Sequence, residues 1–213
     1  MGTRNLTCVQ KDNKIVVSQY CQWDGYPDGQ GTTVVEFIKN KFDKDLFIQK
    51  LKNVKQITQK EYKALWIECG ADPDNSWVSM DISKKFNEKY PHLYRDFGAE
   101  VLEFIQNSDS AIKLNNDKDF AKDSLFCEWV YVLNLDEDTL DVYSGFVTKE
   151  PEASIFYNPE KDEPQQKTAD DKYYPVEKII SFKIRIIKIR KAETTIKEME
   201  KAEKIREKAL VAE

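Results

Sequence analysis

Two strand hairpins, a run of amphipathic helices between them and a charged tail of helical period predict an α+β fold. The expected architecture is an antiparallel sheet packed with helices, followed by a long C-terminal helix. Residues 1–190 are expected to form a single α+β domain with a mobile loop near 159–175, and residues 191–213 a charged helix.

The first hairpin comes from Arg4–Gln10 and Ile15–Trp23, joined by the polar turn Lys11-Asp12-Asn13-Lys14. Three glycines and a proline between Asp24 and Gly31 then shape a tight loop. Thr33 and Glu36 have capping-box spacing, so a helix is expected there with Val34, Val35, Phe37 and Ile38 on its apolar side. Asp43–Cys69 reads as helix in two pieces. Leu46, Phe47, Leu51 and Val54 make the stripe of the first, and Thr58 with Glu61 caps the second. A polar loop through Pro73 leads to a short helix over Asp81–Lys89, and Arg95–Asn107 reads as a further helix with Asp96 as its N-cap. Ile112 and Leu114 suggest a short edge segment.

Leu125–Leu135 and Thr139–Val147 form the clearest hairpin, turning at Asp136-Glu137-Asp138. Strand parity places Trp129, Tyr131 and Leu133 on one face and Val130, Val132 and Asn134 on the other. Gly145 marks a bulge or a close backbone approach. Lys178–Arg190 reads as a strand whose parity breaks at Ile187 and Ile189. Ala192–Glu213 reads as one helix with a narrow stripe of Ile196, Met199, Ala202, Ile205 and Ala209. Three arrangements suit it: lying across the domain, pairing with a copy of itself, or fraying.

The 33 Lys and Arg against 38 Asp and Glu leave a formal charge of −5. Nucleic-acid binding draws its affinity from phosphate contacts, so this balance disfavours it. No stretch approaches 18 uninterrupted apolar residues, so no membrane span is expected. The opening lacks the apolar run of a signal peptide, and Leu6 occupies the position where a myristoylation signal needs Ser or Thr. A cytoplasmic location is therefore expected, the host cytoplasm if a phage encodes the chain. Cys8, Cys21, Cys69 and Cys127 form no CxxC pair, and His92 is the sole histidine. Buried free thiols are expected, with no metal centre and no cofactor.

Chemistry concentrates around the first loop. A glycine-rich loop feeding a helix can offer free backbone N–H groups to an anion, although these glycines match neither GxGxxG nor a P-loop. The alternative is a tight connection whose glycines take positive φ. Arg4, at the start of a strand, either holds a carboxylate or phosphate or pairs with Asp24 or Glu128. Glu128 interrupts an apolar strand, so it must be paired or face a wet pocket. Gln22, Tyr26 and Arg95 complete the candidate ligand-binding set with Arg4, Asp24 and Glu128. Thr3 and Asp24 are the candidates if the chain is an enzyme.

The opening MGTRNLTCVQKDNKIVVSQYCQWDGYPDGQGTTVVEFI, the pair Arg95-Asp96, and Leu125-Phe126-Cys127-Glu128-Trp129 with the following Tyr131–Leu135 strand resemble a family of uncharacterised proteins from phages, bacteria and fungi. That resemblance covers about residues 1–146. It implies a grouping, with no reaction attached. More distantly, the first 24 residues resemble the opening of N-terminal-nucleophile hydrolases of the choloylglycine type. Those enzymes begin with a catalytic cysteine and run through a hairpin to a catalytic arginine and aspartate. This resemblance implies layered sheets and amide-bond chemistry, with Asp24 as the acidic counterpart. The chain departs from it at the nucleophile. Methionine removal exposes Gly2, and the Thr3 hydroxyl is not on a terminal residue.

Three functions suit these features. The first is a non-catalytic binding or regulatory protein of phage or prophage type, acting on a host component or a small ligand. The second is an amide-bond hydrolase, which needs Thr3 or a cysteine beside a base. The third is a structural or assembly protein that self-associates, as a homodimer for instance, through its C-terminal helix.

Overall fold

The computed structural model describes residues 2–75, 77–166 and 172–211. In chain order its strands are β1 (Asn5–Lys11), β2 (Lys14–Cys21), β3 (Val54–Gln56), β4 (Ile112–Leu114), β5 (Trp129–Asn134), β6 (Thr139–Ser144), β7 (Gln165–Gln166), β8 (Lys172–Tyr173) and β9 (Glu177–Lys183). Its helices are α1 (Thr32–Asn40), α2 (Lys44–Leu51), α3 (Gln59–Glu68), α4 (Met80–Lys89), α5 (Glu100–Asn107), α6 (Ile184–Ile189) and α7 (Ala192–Val211). The fold is mixed α+β, with a five-stranded sheet ordered β2-β1-β5-β6-β9 packed against helices.

Both expected hairpins form. Asp12 and Asn13 turn β1 into β2 with φ of 53° and 56°, a left-handed pair that short polar side chains tolerate best. The Asp136 carboxylate accepts from the backbone N–H groups of both, at 2.8 and 2.9 Å, and so ties the first hairpin turn to the second. The sheet is not wholly antiparallel, however. The two hairpins meet at β1 and β5, which run parallel with Asn5 opposite Trp129 and Gln10 opposite Asn134. A parallel pair needs a long crossover, here the whole helical middle of the chain, and local strand signals carry no information about it. The described residues contain this one large sheet and two two-stranded ribbons, β3-β4 and β7-β8. The two-sheet layering implied by the hydrolase resemblance is not seen among them.

Strand parity sorts the core. Trp129, Tyr131 and Leu133 face the helical layer, where Val34, Ile38, Phe47, Leu102, Ile105 and Met199 complete the main cluster. Leu6, Cys8, Val130, Val132 and Tyr143 face the other way onto Ala121, Cys127, Phe156 and Val176. A satellite cluster joins α3 and α4, where the Trp66 and Phe86 rings stack 3.7 Å apart.

Several local expectations need correction. The Thr33–Glu36 capping box does not form, because α1 begins at Thr32 directly out of a π-helical turn over Pro27–Gly31. Thr32 donates its hydroxyl back to the carbonyls of Pro27 and Asp28 at 3.2 and 3.0 Å. Val54 leaves the helical register for β3, which pairs in parallel with Ile112–Leu114. Asp96 caps nothing, since α5 starts four residues later at Glu100. The second half of the expected 178–190 strand is α6, where Ile184 and Ile187 are both buried. That i, i+3 pair is what broke the strand parity. Thr58 and Glu61 do form their capping box.

The loop expected to be mobile near 159–175 lies partly outside the described residues, at 167–171. On either side of that gap β7 and β8 pair antiparallel. Helix α7 lies across the domain. Ala192, Ile196 and Met199 join the main core and Thr195 is buried beside them. Farther along, Ile205 is 59% exposed. Next to it Arg206 is held by a polar lock, its Nη2 donating to Ser144 Oγ at 3.0 Å and Glu203 Oε1 at 3.1 Å, and to the Gly145 carbonyl. No helix among the described residues is long and apolar enough to cross a membrane.

Candidate functional site

The register of the sheet gathers residues far apart in sequence. Asn5 lies opposite Cys21 in β2 and opposite Trp129 in β5, so Arg4, Gln22 and Glu128 are neighbours at one end of the sheet. Backbone hydrogen bonds close the group. Glu128 N donates to Arg4 O at 3.0 Å, Gln22 N to Arg95 O at 3.0 Å, and Gly25 N to Thr3 O at 2.8 Å. All seven residues nominated from the sequence (Thr3, Arg4, Gln22, Asp24, Tyr26, Arg95 and Glu128) therefore belong to this sheet end or to the chain segments bonded to it. Parity also puts Arg4, Tyr20, Gln22 and Glu128 on the face of Leu6, Cys8 and Val130.

The loop after β2 is locked from several sides. Gln30 N donates to Asp24 O at 2.8 Å, and Gln30 Nε2 donates to Trp23 O at 3.2 Å. Gln30 Oε1 accepts from Ala99 N at 2.7 Å, tying the loop to the start of α5. Buried Tyr131 donates its hydroxyl to Gly25 O at 2.8 Å. A Cβ at Gly25 would lie 2.5 Å from Thr3 O and 2.9 Å from Asn5 Cβ. Glycine is thus required here by close backbone approach. Positive φ is not the reason, because among the described residues the glycines with positive φ are Gly70 and Gly98, both outside this loop. The tight connection is real, and it presents Trp23 and Tyr26 outward, 49% and 47% exposed.

The charged groups are less neutralised than the sequence suggested. Arg4 makes no ion pair with Asp24 or Glu128. Its guanidinium stacks over the Phe126 ring, 4.5 Å from the centroid, and its enclosed Nε finds no acceptor among the described residues. Burial pushes the Glu128 carboxyl above the usual carboxylate range, and the nearby charge of Asp24 adds to this while Arg4 works against it. Tyr20 feels the charge of both arginines. Burial raises its phenol, and Arg4 and Arg95 both oppose that rise. Its hydroxyl donates to Gln22 Oε1 at 2.6 Å. Arg95 is well exposed, with Asp96 4.0 Å from its Nε. Sequence reasoning missed Tyr20 and Phe126. The even-numbered parity shared by Arg4, Tyr20 and Gln22 was the signal for the first. Phe126 is brought over Arg4 by the turn preceding β5, which carried no signal.

Catalytic candidates are placed as follows. Thr3 is buried, and its carbonyl is engaged by Gly25. Asp24 is exposed. All four cysteines are free and buried. Burial pushes the Cys8 and Cys127 thiols well up, and Cys21 up to about 11. His92 lies flat on Phe104 at 4.8 Å, and burial lowers its pKa. Among the described residues, no group of three or more His, Cys, Asp or Glu could hold a metal ion.

Two clefts lie away from this sheet end. One of about 410 Å³ is lined by Lys14, Lys118, Lys122, Phe156 and Asp162. Another, of about 510 Å³, is lined by Tyr62, Trp66, Pro73 and Val78.

No family model, no curated protein and no solved structure matches the chain. The resemblance to phage, bacterial and fungal proteins therefore rests on the quoted motifs alone.

Proposed function

We propose that this chain is a non-catalytic binding or regulatory protein, of the phage or prophage type suggested by its opening motifs, and that it engages its ligand at the sheet end around Arg4, Gln22, Asp24, Tyr26, Arg95 and Glu128. One observation carries the reading. Trp23 and Tyr26 are exposed at 49% and 47% on a loop held rigid by its backbone bonds, and at the same sheet end Phe126, 36% exposed, stacks under a partly buried arginine that makes no ion pair among the described residues. Rigid aromatic anchors next to a directional charge give contact area at little cost in conformational entropy. The protonated, buried state of the thiols and the enclosure of Thr3 favour binding over covalent chemistry. In this reading the site acts in the cytoplasm, on a host component or a small ligand.

The test is a thermal-shift screen of the protein against a metabolite panel, run beside a Trp23→Ala/Tyr26→Ala double variant. Ligands that stabilise the wild type and not the variant, and that mass spectrometry recovers unchanged, support the proposal. A ligand that is consumed, with turnover lost in Asp24→Asn, replaces it with the hydrolase reading. Hits that stabilise both proteins equally place binding elsewhere and overturn it.

A further inference from the structure

We infer that Arg4 and Arg95 form an oxyanion receptor, so that the ligand of this surface carries a carboxylate or phosphoryl group; this deepens the proposed function and rests on the same sheet end. Three features converge on it.

First, Arg4 has an unusual environment for a structural arginine. Structural guanidinium groups at strand ends ordinarily meet a carboxylate. Here no carboxylate among the described residues lies within ion-pair distance, and the enclosed Nε–H finds no acceptor among them. A buried donor left unpaired costs about 1–3 kcal/mol, a cost that a purely structural role for Arg4 does not explain. The two terminal nitrogens are not among the fully enclosed atoms and donate to no group among the described residues, so the donors of the fork are unused by the protein. The stack on Phe126 fixes the plane of the fork without consuming its donors.

Second, a second arginine is tied to this sheet end through the main chain. The Gln22 N–H to Arg95 carbonyl bond ties Arg95 to the end of β2. The Tyr20 phenol lies where both arginines act on it. Because that phenol donates to Gln22 Oε1, the Gln22 side-chain amide is oriented with its N–H₂ free to donate.

Third, the competing charges are placed so that they do not close the receptor. Asp96 makes only a long, solvent-exposed ion pair with Arg95, 4.0 Å from its Nε, which a better-placed oxyanion can displace. Asp24 is exposed. Glu128 makes no ion pair with Arg4 among the described residues, although burial raises its carboxyl pKa and Arg4 opposes that rise.

The experiment follows the arginine side-chain Nε–Hε signals by NMR while inorganic phosphate, and separately acetate, is titrated into the full chain at constant ionic strength. The expected result is a saturating shift of the Arg4 Nε–Hε signal with at least one anion. The better-bound anion distinguishes a phosphoryl from a carboxylate ligand. Arg95→Gln, at an exposed position, should weaken binding by about tenfold, the value of one charge-assisted hydrogen bond. Glu128→Gln should tighten it. In Arg4→Lys, which keeps the charge and loses the fork, saturation read from the Tyr20 and Gln22 amides should disappear. A linear response to both anions overturns the inference, as does a saturating response that Arg95→Gln and Arg4→Lys leave unchanged. The two proposals fail separately. An aromatic-dependent ligand with no anion response sinks the receptor and spares the binding surface. An anion response without any Trp23- and Tyr26-dependent ligand does the reverse.

Discussion

Replacing Gly25 with alanine tests whether the loop after β2 is held by backbone packing. The new Cβ would sit 2.5 Å from Thr3 O and 2.9 Å from Asn5 Cβ. Against working contacts of about 3.3 Å for C···O and about 3.5 Å for C···C, it is about 0.8 Å and 0.6 Å too close. Neither neighbour is a flexible side-chain tip. Thr3 O belongs to the backbone, and Asn5 is a fully buried residue of β1. The loop must move outward, stretching the 2.8 Å bond from Gly25 N to Thr3 O and the 2.8 Å bond from Tyr131 to Gly25 O. Overpacking of this kind costs about 1–3 kcal/mol, and each lost bond about 1 kcal/mol. The reduced freedom of alanine in the unfolded chain returns about 0.4–1 kcal/mol. The net loss is about 3 kcal/mol, or about 6–12 °C in Tm for a chain of this length. The assay is thermal and urea unfolding of four proteins: wild type, Gly25→Ala, Tyr131→Phe and the double variant. Tyr131→Phe should cost about 1 kcal/mol alone and close to nothing in the alanine background, because its hydrogen bond is already broken there. A Gly25→Ala Tm within about 2 °C of wild type, or strictly additive costs, would refute the reasoning.

Other consequences can be measured in the same preparations. Met199 is fully buried where α7 crosses the core, so Met199→Ala should cost about 2–5 kcal/mol by urea unfolding, while Lys201→Ala on the exposed side changes little; equal effects would mean that α7 is not docked. Burial raises the Glu128 carboxyl above its unfolded value, so the stability it confers is complete at acid pH and is lost as pH rises through the folded pKa. Glu128→Gln should therefore be more stable than wild type at pH 7, with the gap closing towards acid; a less stable variant at pH 7 contradicts this sign. The four thiols should resist iodoacetamide at mildly alkaline pH until the chain unfolds, as burial holds Cys8, Cys21 and Cys127 protonated and encloses Cys69. Mass-spectrometric detection of one quickly alkylated cysteine in the native protein would show that this site is open.

Local grammar was legible in the sequence wherever a signal is short-range. The Asp12-Asn13 turn, the Thr58–Glu61 box, the alternation through Trp129-Val130-Tyr131-Val132 and the Ile196–Met199 part of the terminal-helix stripe all depend on neighbours within one turn or one pleat, and each appears in the structure, whereas Ile205 and Ala209 of that stripe are exposed. Gly145 was marked as a bulge or a close approach, and the second holds, since a side chain there would overlap the carbonyls of Cys127 and Ser124. Errors arose where two local signals compete. The alternating isoleucines from Ile180 onward satisfy a strand, yet the final turn folds as α6 because Ile184 and Ile187 together reach the helical side of the core.

What only the tertiary structure decided is the meeting of β1 with β5. Their parallel register is set by burying two apolar faces at once across a crossover of helices, an interaction between segments more than a hundred residues apart. From that pairing alone follow the proximity of Arg4 to Glu128, the stack of Arg4 on Phe126, and the Tyr131 bond that braces the Gly25 loop. The sequence by itself determined which residues could carry charge, turn the chain or fill the core. Which of them stand together depended on a long-range contact whose energy no local window contains.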